Sequence, residues 1–424
     1  MKPSGVLDYQ QMSPFAASTG ITLQMIRVAA SSLAVLASLA SAQGGGPRLP
    51  APVAQAVDGQ DGRPLLRVFV GTFRGDAGET TAGLVRADLQ SSGAVEVISF
   101  ESSDGYGIHA EATGGWIDAV IFKPDGRVLL QRRYESPNLR QNVHRLTDDF
   151  TEIVTQRPGI AGSVIAFVSD NSGKRQVYLC DSDGADIRQV TIDPEIEGIH
   201  PNISLMNGRI VYTAIKHGFA DIWAVDLVTE ESKRLINAPG DNLHPTLSPD
   251  GERLAVTMSY SGTTDLYVTT ALGGRARRLT QDAAMENSPS WSPDGRHVAF
   301  ARTNEEGHGA HICYVSSLGG VAEVLPVAEQ AESSEPDWSP DGQNIAFTIG
   351  TDPTSQIAVF TMSTRKTAVL GETEGGHSPS WAPDSRHLVY LKDNALWVVD
   401  VESRSKRTKI AGDFGNVSEP AWSR

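Results

Sequence analysis

Trp291-Ser292-Pro293-Asp294-Gly295 is one copy of a motif that recurs through the second half of the chain and decides its fold. The tetrapeptide Ser-Pro-Asp-Gly also occupies 248–251 and 339–342, and a degenerate Ala-Pro-Asp-Ser occupies 382–385. These residues suit a tight turn because Pro presets φ at its second position, Asp caps it with its own side chain, and Gly takes the left-handed conformation. The recurrence indicates a repeated structural unit.

A Pro-x-Trp or Pro-x-aliphatic tripeptide precedes each turn and sets the length of the repeat. It starts at Pro201, Pro245, Pro289, Pro336, Pro379 and Pro420, so the steps are 44, 44, 47, 43 and 41 residues. This spacing predicts four-stranded propeller blades. Four tryptophans share one phase of the repeat, and we expect them to pack between neighbouring blades rather than to bind a cofactor. They are Trp291, Trp338, Trp381 and Trp422.

Short β-branched or aromatic runs divide each unit into four strands. In the unit that starts at Pro289, the strands are predicted at Pro289–Ser292, His297–Arg302, His311–Ser317 and Ala322–Val327. Counting the second strands gives six blades, with these strands at Ser163–Asp170, Arg209–Ile215, Arg253–Ser259, His297–Arg302, Asn344–Gly350 and His387–Lys392. The first blade lacks an inner strand and residues 419–423 are surplus, so we expect the C-terminal strand to close the ring and to hide its edge.

The fold class predicted is mainly β, a six-bladed β-propeller over residues 159–424 preceded by a small α/β domain over 64–158. Apolar periodicity in that domain predicts strands at Leu65–Phe73 and Ala94–Phe100, a hairpin of Ile117–Lys123 and Arg127–Arg133, and helices at Thr80–Gln90 and Asn138–Thr155.

Residues 1–42 are predicted to be a signal peptide. An apolar run led by Arg27 ends at Ala40-Ser41-Ala42, a small-residue cleavage pattern, and Met25 is a candidate initiator because the preceding residues are polar. Residues 43–63 are rich in Gly, Pro and Ala, which predicts a flexible tail or linker. No second apolar run of spanning length follows, so we expect no integral membrane span in the mature chain.

Charge and cysteine content exclude several classes of function. A net charge of −15 argues against nucleic acid or an anionic membrane as the partner, because both require a basic surface. Cys180 and Cys313 fall in third strands of different blades, so we expect them to be buried and unpaired. No Gly-x-Ser-x-Gly elbow occurs and only two residues follow Trp422, so a peptidase of the prolyl-oligopeptidase type is not expected.

The order of signal, small α/β domain and six-bladed propeller resembles the TolB family. Val68–Phe73 and Gly83–Gly93 are similar to the first strand and helix of that family, Ile165–Asp170 to its entry into the propeller, and Glu419–Ser423 to its C-terminus. The segment after Ser103 looks shorter than in the family, which predicts a smaller sheet in the α/β domain.

The resemblance implies a non-enzymatic periplasmic component of the Tol-Pal system that binds a Pal-like peptidoglycan-associated lipoprotein and supports outer-membrane integrity and cell division. A TolA-like protein is a candidate second partner through the N-terminal tail, and neither a cofactor nor a metal is expected. In the family the Pal-contacting face surrounds one mouth of the channel. The matching loops, which precede the first strand of each blade, hold His200, Asp241, Asn242, His244, Glu286, Asn287, Glu335, His377 and Glu419.

A metal-dependent oligosaccharide lyase is the alternative function. His200, His244 and His377 occupy matching loop positions and resemble the metal-binding histidines of oligogalacturonate-lyase-like propellers. Together with Glu286 or Glu335 they would form a ligand set for a divalent ion if they converged on the channel.

Overall fold

The computed structural model describes residues 57–58, 64–281, 283–303, 309–327, 332–403, 407–411 and 414–423. The predicted signal peptide and most of the predicted tail lie outside these residues. Within the tail, Val57–Asp58 forms a two-residue strand that pairs with the strand beginning at Pro64. None of the described helices is long and apolar enough to span a membrane.

The N-terminal part is a six-stranded mixed sheet with two helices. Its elements are β1 (Val57–Asp58), β2 (Pro64–Arg74), α1 (Gly78–Ser91), β3 (Val95–Ile98), β4 (Tyr106–Ala112), β5 (Trp116–Phe122), β6 (Val128–Glu135) and α2 (Leu139–Thr155). The sheet order is β1-β2-β4-β5-β6, and β3 also pairs with β2. The side chain of Asn138 accepts a hydrogen bond from the Arg140 N–H and so caps α2, which buries Val143, Leu146 and Phe150 in the core.

The structure contains a strand that the sequence did not predict, because β4 lies between β2 and β5 directly after the segment that looked short. A sheet smaller than that of the family stays a prediction. Its sequence, Tyr-Gly-Ile-His-Ala-Glu-Ala, contains glycine and alanine, which have low strand propensity. Pairing on both sides and burial of Ile108 stabilise the strand despite this weak local signal.

The remaining strands form six four-stranded antiparallel sheets. Blade 1 contains β7 (Val164–Ser169), β8 (Gln176–Asp181) and β9 (Arg188–Gln189). Blade 2 contains β10 (Glu197–Ser204), β11 (Arg209–Lys216), β12 (Phe219–Asp226) and β13 (Ser232–Ile236). Blade 3 contains β14 (Asn242–Leu247), β15 (Arg253–Met258), β16 (Asp265–Thr270) and β17 (Arg277–Arg278). Blade 4 contains β18 (Glu286–Trp291), β19 (His297–Thr303), β20 (Ala310–Ser316) and β21 (Glu323–Val324). Blade 5 contains β22 (Ser333–Trp338), β23 (Asn344–Ile349), β24 (Gln356–Thr361) and β25 (Lys366–Leu370). Blade 6 contains β26 (His377–Trp381), β27 (His387–Lys392), β28 (Ala395–Asp400) and β29 (Arg407–Ala411).

The last strand, β30 (Val417–Trp422), closes the ring by pairing with β7 of the first blade. The inner strands β10, β14, β18, β22, β26 and β30 each contact the next, and β30 contacts both β26 and β10. Ring closure through the C-terminal strand therefore follows the strand count, and the predicted fold class is confirmed. The domain boundary drawn at residue 158 stays a prediction.

Turns and tryptophans behave as the repeat predicts. In the turn at 292–295, Asp294 accepts a hydrogen bond from the Arg296 N–H and Gly295 has φ of 65°. Trp291 and Trp381 are fully buried, and each donates its indole N–H to a main-chain carbonyl of the preceding blade, Thr246 or Asp337. Both cysteines are buried, and neither forms a disulfide bond.

Each inner strand contains a bulge at its proline. The strand pairing of β18 with β19, for example, is interrupted between Asn287 and Ser290, around Pro289. Proline has no N–H to donate to a ladder, so it sits where the ladder is broken. The predicted first strand Pro289–Ser292 therefore begins too late, because the observed strand starts three residues earlier at Glu286 and passes through the proline.

In four of the six blades, the side chain of the residue after the proline bonds the next blade; these residues are Asn202, Ser290, Asp337 and Ser380. The Asp337 carboxylate accepts hydrogen bonds from the Ser290 hydroxyl at 2.9 Å and from the Trp381 N–H at 2.8 Å. In the same way Ser290 accepts from the Trp338 N–H at 3.0 Å, and Ser380 accepts from the Trp422 N–H at 3.0 Å. These side chains satisfy buried main-chain donors across the blade boundaries.

The α/β domain contacts the propeller through polar bonds at the turns of blades 1 and 6. Because consecutive strands are antiparallel, these turns lie at the end of the propeller where inner strands finish, which we call the domain face. His144 of α2 lies 2.8 Å from Asp88 of α1 and 3.5 Å from Asp181 of blade 1. Burial opposes the charge on His144, but hydrogen bonds to Asp181 and Asp88 outweigh it and raise its pKa to about 9. Asp148 accepts the N–H groups of Ala161 and Gly162, just before β7.

Replacing Asp337 by Ala should lower the free energy of unfolding by about 1–3 kcal/mol, because the substitution leaves buried donors on two neighbouring blades without an acceptor. Asp337→Asn keeps an acceptor and should cost less, and Glu332→Ala on the exposed entry to β22 serves as the control. Denaturant unfolding measures all three. Equal stability of the Ala variant and the control would contradict the assigned role.

Candidate partner-binding site at the channel mouth

The six bulges place six side chains around the axis of the propeller. The residue before each proline adopts a left-handed backbone conformation, with φ between 48° and 55°. Non-glycine residues adopt this conformation rarely, and in a bulge it turns the side chain away from the regular alternation of the strand. The six residues, which we call the channel ring, are His200, His244, Ser288, Glu335, Ser378 and Glu419.

Most of the predicted site residues are not in loops. All but Asp241 lie within the first, inner strand of a blade, so the predicted loop placement is wrong for them. The error follows from taking the proline as the strand start. Asp241 immediately precedes β14 and is exposed. His377 is also offset by one position, because Ser378 rather than His377 is the equivalent of His200 and His244.

Asn242 and Glu286 are fully buried and have structural bonds. The Asn242 amide donates to the Ala220 and Ala238 carbonyls, which ties blade 3 to blade 2. Glu286 accepts a hydrogen bond from the Thr280 hydroxyl at 2.7 Å and pairs with Arg302 at 3.3 Å. Neither side chain faces solvent, so a docked partner would have to reach the remaining predicted residues.

Neighbouring members of the channel ring contact one another. The imidazole rings of His200 and His244 stack with centroids 3.7 Å apart. Glu419 accepts a hydrogen bond from the His200 N–H, and its other carboxylate oxygen lies 3.7 Å from the His200 Nε2. On the opposite arc, Glu335 accepts hydrogen bonds from the N–H and hydroxyl of Ser378. The ring thus contains two groups of polar side chains in contact, Glu419 with His200 and His244, and Glu335 with Ser378.

Burial keeps the histidine pair neutral at neutral pH. Burial, with a smaller effect of Arg175, lowers the pKa of His200 to about 4. Burial and the adjacent His200 lower the pKa of His244 well below its usual value. Burial also raises the pKa of Glu419, although the hydrogen bond from His200 opposes this change. The channel lining therefore disfavours charge on both the histidines and this carboxylate.

The predicted three-histidine metal site does not form. The rings of His200 and His244 stack face to face, whereas the Nδ1 atom of His377 lies 3.1 Å from the hydroxyl oxygen of Ser378. Among the described residues, no group of three or more His, Cys, Asp or Glu side chains is arranged to hold a metal ion. The lyase alternative is not favoured by this arrangement.

Four large apolar side chains at the mouth were not identified from the sequence. Ile192 and Met285 lie in connections between blades, and Phe219 and Tyr260 lie at turns between second and third strands. Both kinds of segment lie at the end of the propeller where inner strands begin, which we call the mouth face. Phe219 is 72% exposed and Tyr260 63% exposed. An aromatic residue at a turn, where no core is available, is the signal that would have identified them.

The family model described as the TolB beta propeller domain matches residues 151–424. The chain belongs to this family. It is 30% identical over 129 residues to a TolB homolog of Chlorobium chlorochromatii, a match that covers 29% of each chain. It is 28% identical over 213 residues to the Tol-Pal system protein TolB of Polaromonas sp., covering 43% of this chain and 49% of the relative. The matches thus span between about a third and a half of these relatives.

Structural similarity covers more of the chain than these sequence alignments do. The crystal structure of TolB from Acinetobacter baumannii superimposes with a TM-score of 0.72 at 20% sequence identity, covering 85% of this chain and 97% of that chain. At this identity the likeness shows the fold, which includes the α/β domain as well as the propeller of this TolB-family protein.

Acidification should destabilise the propeller through the buried histidines. Unfolding returns the pKa of His200 from about 4 to its usual 6.5, so the unfolded state binds more protons between these values and stability falls as pH drops below 6.5. From pH 7 to pH 5 the loss from His200 should be roughly 1–2 kcal/mol, and His244 adds a loss of the same sign. Denaturant unfolding at both pH values measures it.

A double variant, His200→Gln with His244→Gln, should lose less stability on acidification than the parent. His217→Gln, at an exposed turn histidine, is the matched control and should behave as the parent does. An unchanged pH dependence in the double variant would contradict the assignment of buried neutral imidazoles.

Proposed function

We propose that this chain is a periplasmic, non-enzymatic binding component of a Tol-Pal system and that its mouth face binds a Pal-like lipoprotein, thereby supporting outer-membrane integrity and cell division. Membership of the TolB propeller family and relatives named as Tol-Pal system proteins support this role. The observation that carries it is the group of exposed apolar side chains around the mouth: Ile192, Phe219, Tyr260 and Met285.

The mouth face has the composition of a protein-binding surface. Aromatic residues and methionine are enriched in the centres of interfaces, and exposed apolar groups of this kind mark docking sites. Around them lie the accessible members of the predicted site, which would supply polar contacts at the rim: His200, Asp241, His244, Asn287, Glu335, His377 and Glu419. A folded lipoprotein domain with an apolar projection and surrounding hydrogen-bond donors would complement the mouth face.

The rigidity of the ring favours binding over catalysis as the function. The channel ring is fixed by the bulged strands and by bonds between neighbours, so little conformational entropy is lost when a partner docks. Its two histidines are partly buried and stacked on each other, and they lack a metal-binding arrangement among the described residues. A TolA-like protein remains a proposed second partner, through a tail that lies outside the described residues.

Phe219→Asp and Tyr260→Asp should each weaken binding of the soluble domain of the cognate Pal-like lipoprotein by at least about tenfold, because each places a charge where an apolar contact is expected. Phe100→Asp is the matched control, since Phe100 is a similarly exposed phenylalanine in the α/β domain. Isothermal titration calorimetry gives the dissociation constants. Absence of binding by the parent chain, or turnover of an acidic oligosaccharide by it, would reject the proposal.

A further inference from the structure

A second exposed apolar surface lies on the domain face, at the opposite end of the propeller from the mouth. Blades 3 and 4 both carry Leu-Gly-Gly in the turn between third and fourth strands, at 272–274 and 318–320. Leu272 is 66% exposed, Leu318 80% and Val321 93%. Three aliphatic side chains this exposed on adjacent turns stand out from the isolated apolar residues of an ordinary surface.

The glycines hold these turns in one conformation. Gly273, Gly274, Gly319 and Gly320 all have positive φ, between 80° and 143°, which other residues rarely adopt. A Cβ on Gly273 would also lie 2.3 Å from the Leu235 carbonyl oxygen of the preceding blade. These turns therefore require glycine, and the leucine that precedes each glycine pair is exposed.

Arginines fix the two turns to each other and give the surface a positive charge. Arg277 of blade 3 donates two hydrogen bonds of 2.6 Å to the Ser317 and Leu318 carbonyls of blade 4. These carbonyls carry no net charge, so the guanidinium keeps its full positive charge while being held in place. Arg275, two residues earlier, is exposed. In a chain of net charge −15, this local positive charge opposes the overall field.

A cleft of about 540 Å³ adjoins the turn of blade 4 and extends between blades 3 and 4. Leu318, Val321 and the Gly319-Gly320 backbone line one side, and Arg278 and Arg302 also contribute to its wall. Arg278 pairs with the buried Asp265 at 2.6 Å and Arg302 with Glu286, so the charge of the cleft wall is compensated. The net attraction for a ligand comes from Arg275 and Arg277 at the rim.

The α/β domain already uses equivalent turns on this face, with the charges reversed. In blade 1, Asp181 and Asp183 pair with Arg140 of α2, and in blade 6, Glu402 pairs with Arg157 at 2.7 Å. Blades 1 and 6 thus present acids to Arg140 of α2 and to Arg157 just after it, whereas blade 3 presents arginines in the corresponding turn. On the domain face, the acidic turns of blades 1 and 6 therefore contact the α/β domain, and the turns of blades 3 and 4 form a second surface of opposite charge.

We propose that Leu272, Leu318, Val321, Arg275 and Arg277, named here the Leu-Gly-Gly surface, bind an acidic segment of a partner protein that carries aliphatic side chains. Carboxylates of that segment pair with Arg275 and Arg277, and its aliphatic groups cover Leu318 and Val321 at the entrance of the cleft. This surface is separate from the mouth face, so the inference does not rest on the proposed function. A partner here and a partner at the mouth would bind the disk at the same time.

The test uses the purified chain and a short fluorescein-labelled peptide of alternating glutamate and leucine, followed by fluorescence anisotropy. We expect binding that Arg275→Glu with Arg277→Glu weakens by about tenfold, because charge reversal replaces attraction by repulsion. The matched control, Arg74→Glu with Arg188→Glu, changes the net charge equally at exposed arginines elsewhere and should bind as the parent does. A peptide with lysine in place of glutamate should not bind.

Arg277 also holds the turn of blade 4, so a second variant separates binding from local structure. Leu318→Ser removes an exposed side chain without a buried contact, and it should weaken peptide binding several-fold while leaving thermal unfolding unchanged. No binding by the parent, or binding that neither variant alters, would overturn the proposal. Binding to phosphatidylglycerol vesicles through these residues, without binding to the peptide, would overturn it in favour of a membrane surface.

Discussion

A proline in the middle of every inner strand is the constraint on which the rest of the propeller depends. Without an N–H, the residue cannot take part in a continuous ladder, so the strand bulges at that point. The residue before the proline then turns toward the axis, and in four blades the residue after it bonds the next blade, as Asp337 does. A bulky buried residue two places after the proline, tryptophan in four blades and Ile203 or Leu247 in the other two, fills the space between blades. One short segment thus determines channel lining, blade bonding and blade packing together.

The bulged inner strands fix the backbone of the propeller but leave the side chains that line the channel free to differ. The positions around the prolines keep the same backbone in all six blades, whereas the channel ring contains two histidines, two serines and two glutamates. Because the backbone is fixed by the bulge, a change of side chain at a ring position alters the chemistry of the channel without altering the fold. The stacked pair of His200 and His244 is one such local feature, and burial lowers the pKa of both imidazoles.

Repetition explains why so much of the propeller could be predicted from the sequence. Turn chemistry and the spacing of the prolines indicated six blades, the strand count indicated the closing strand β30, and the common phase of the tryptophans indicated their burial. Features without repetition were missed. Strand β4 has a weak propensity signal, and β2, one of its two pairing partners, is distant in the sequence. The burial of Asn242 depends on where the bulged strand β14 begins, and the exposure of Phe219 depends on the length of the hairpin between β11 and β12. A periodic pattern specifies neither.

The α/β domain is fixed to the propeller by polar rather than apolar contacts, and the position of these contacts determines which turns of the domain face stay uncovered. Buried ion pairs such as His144 with Asp88 and Asp181 add little net stability over an apolar core, but they are directional. Asp148 adds two bonds to the N–H groups of the segment that enters β7. An apolar interface would tolerate sliding across the domain face, whereas these bonds hold the domain over blades 1 and 6. The turns of blades 3 and 4 consequently stay uncovered, and the disk keeps a separate surface at each end.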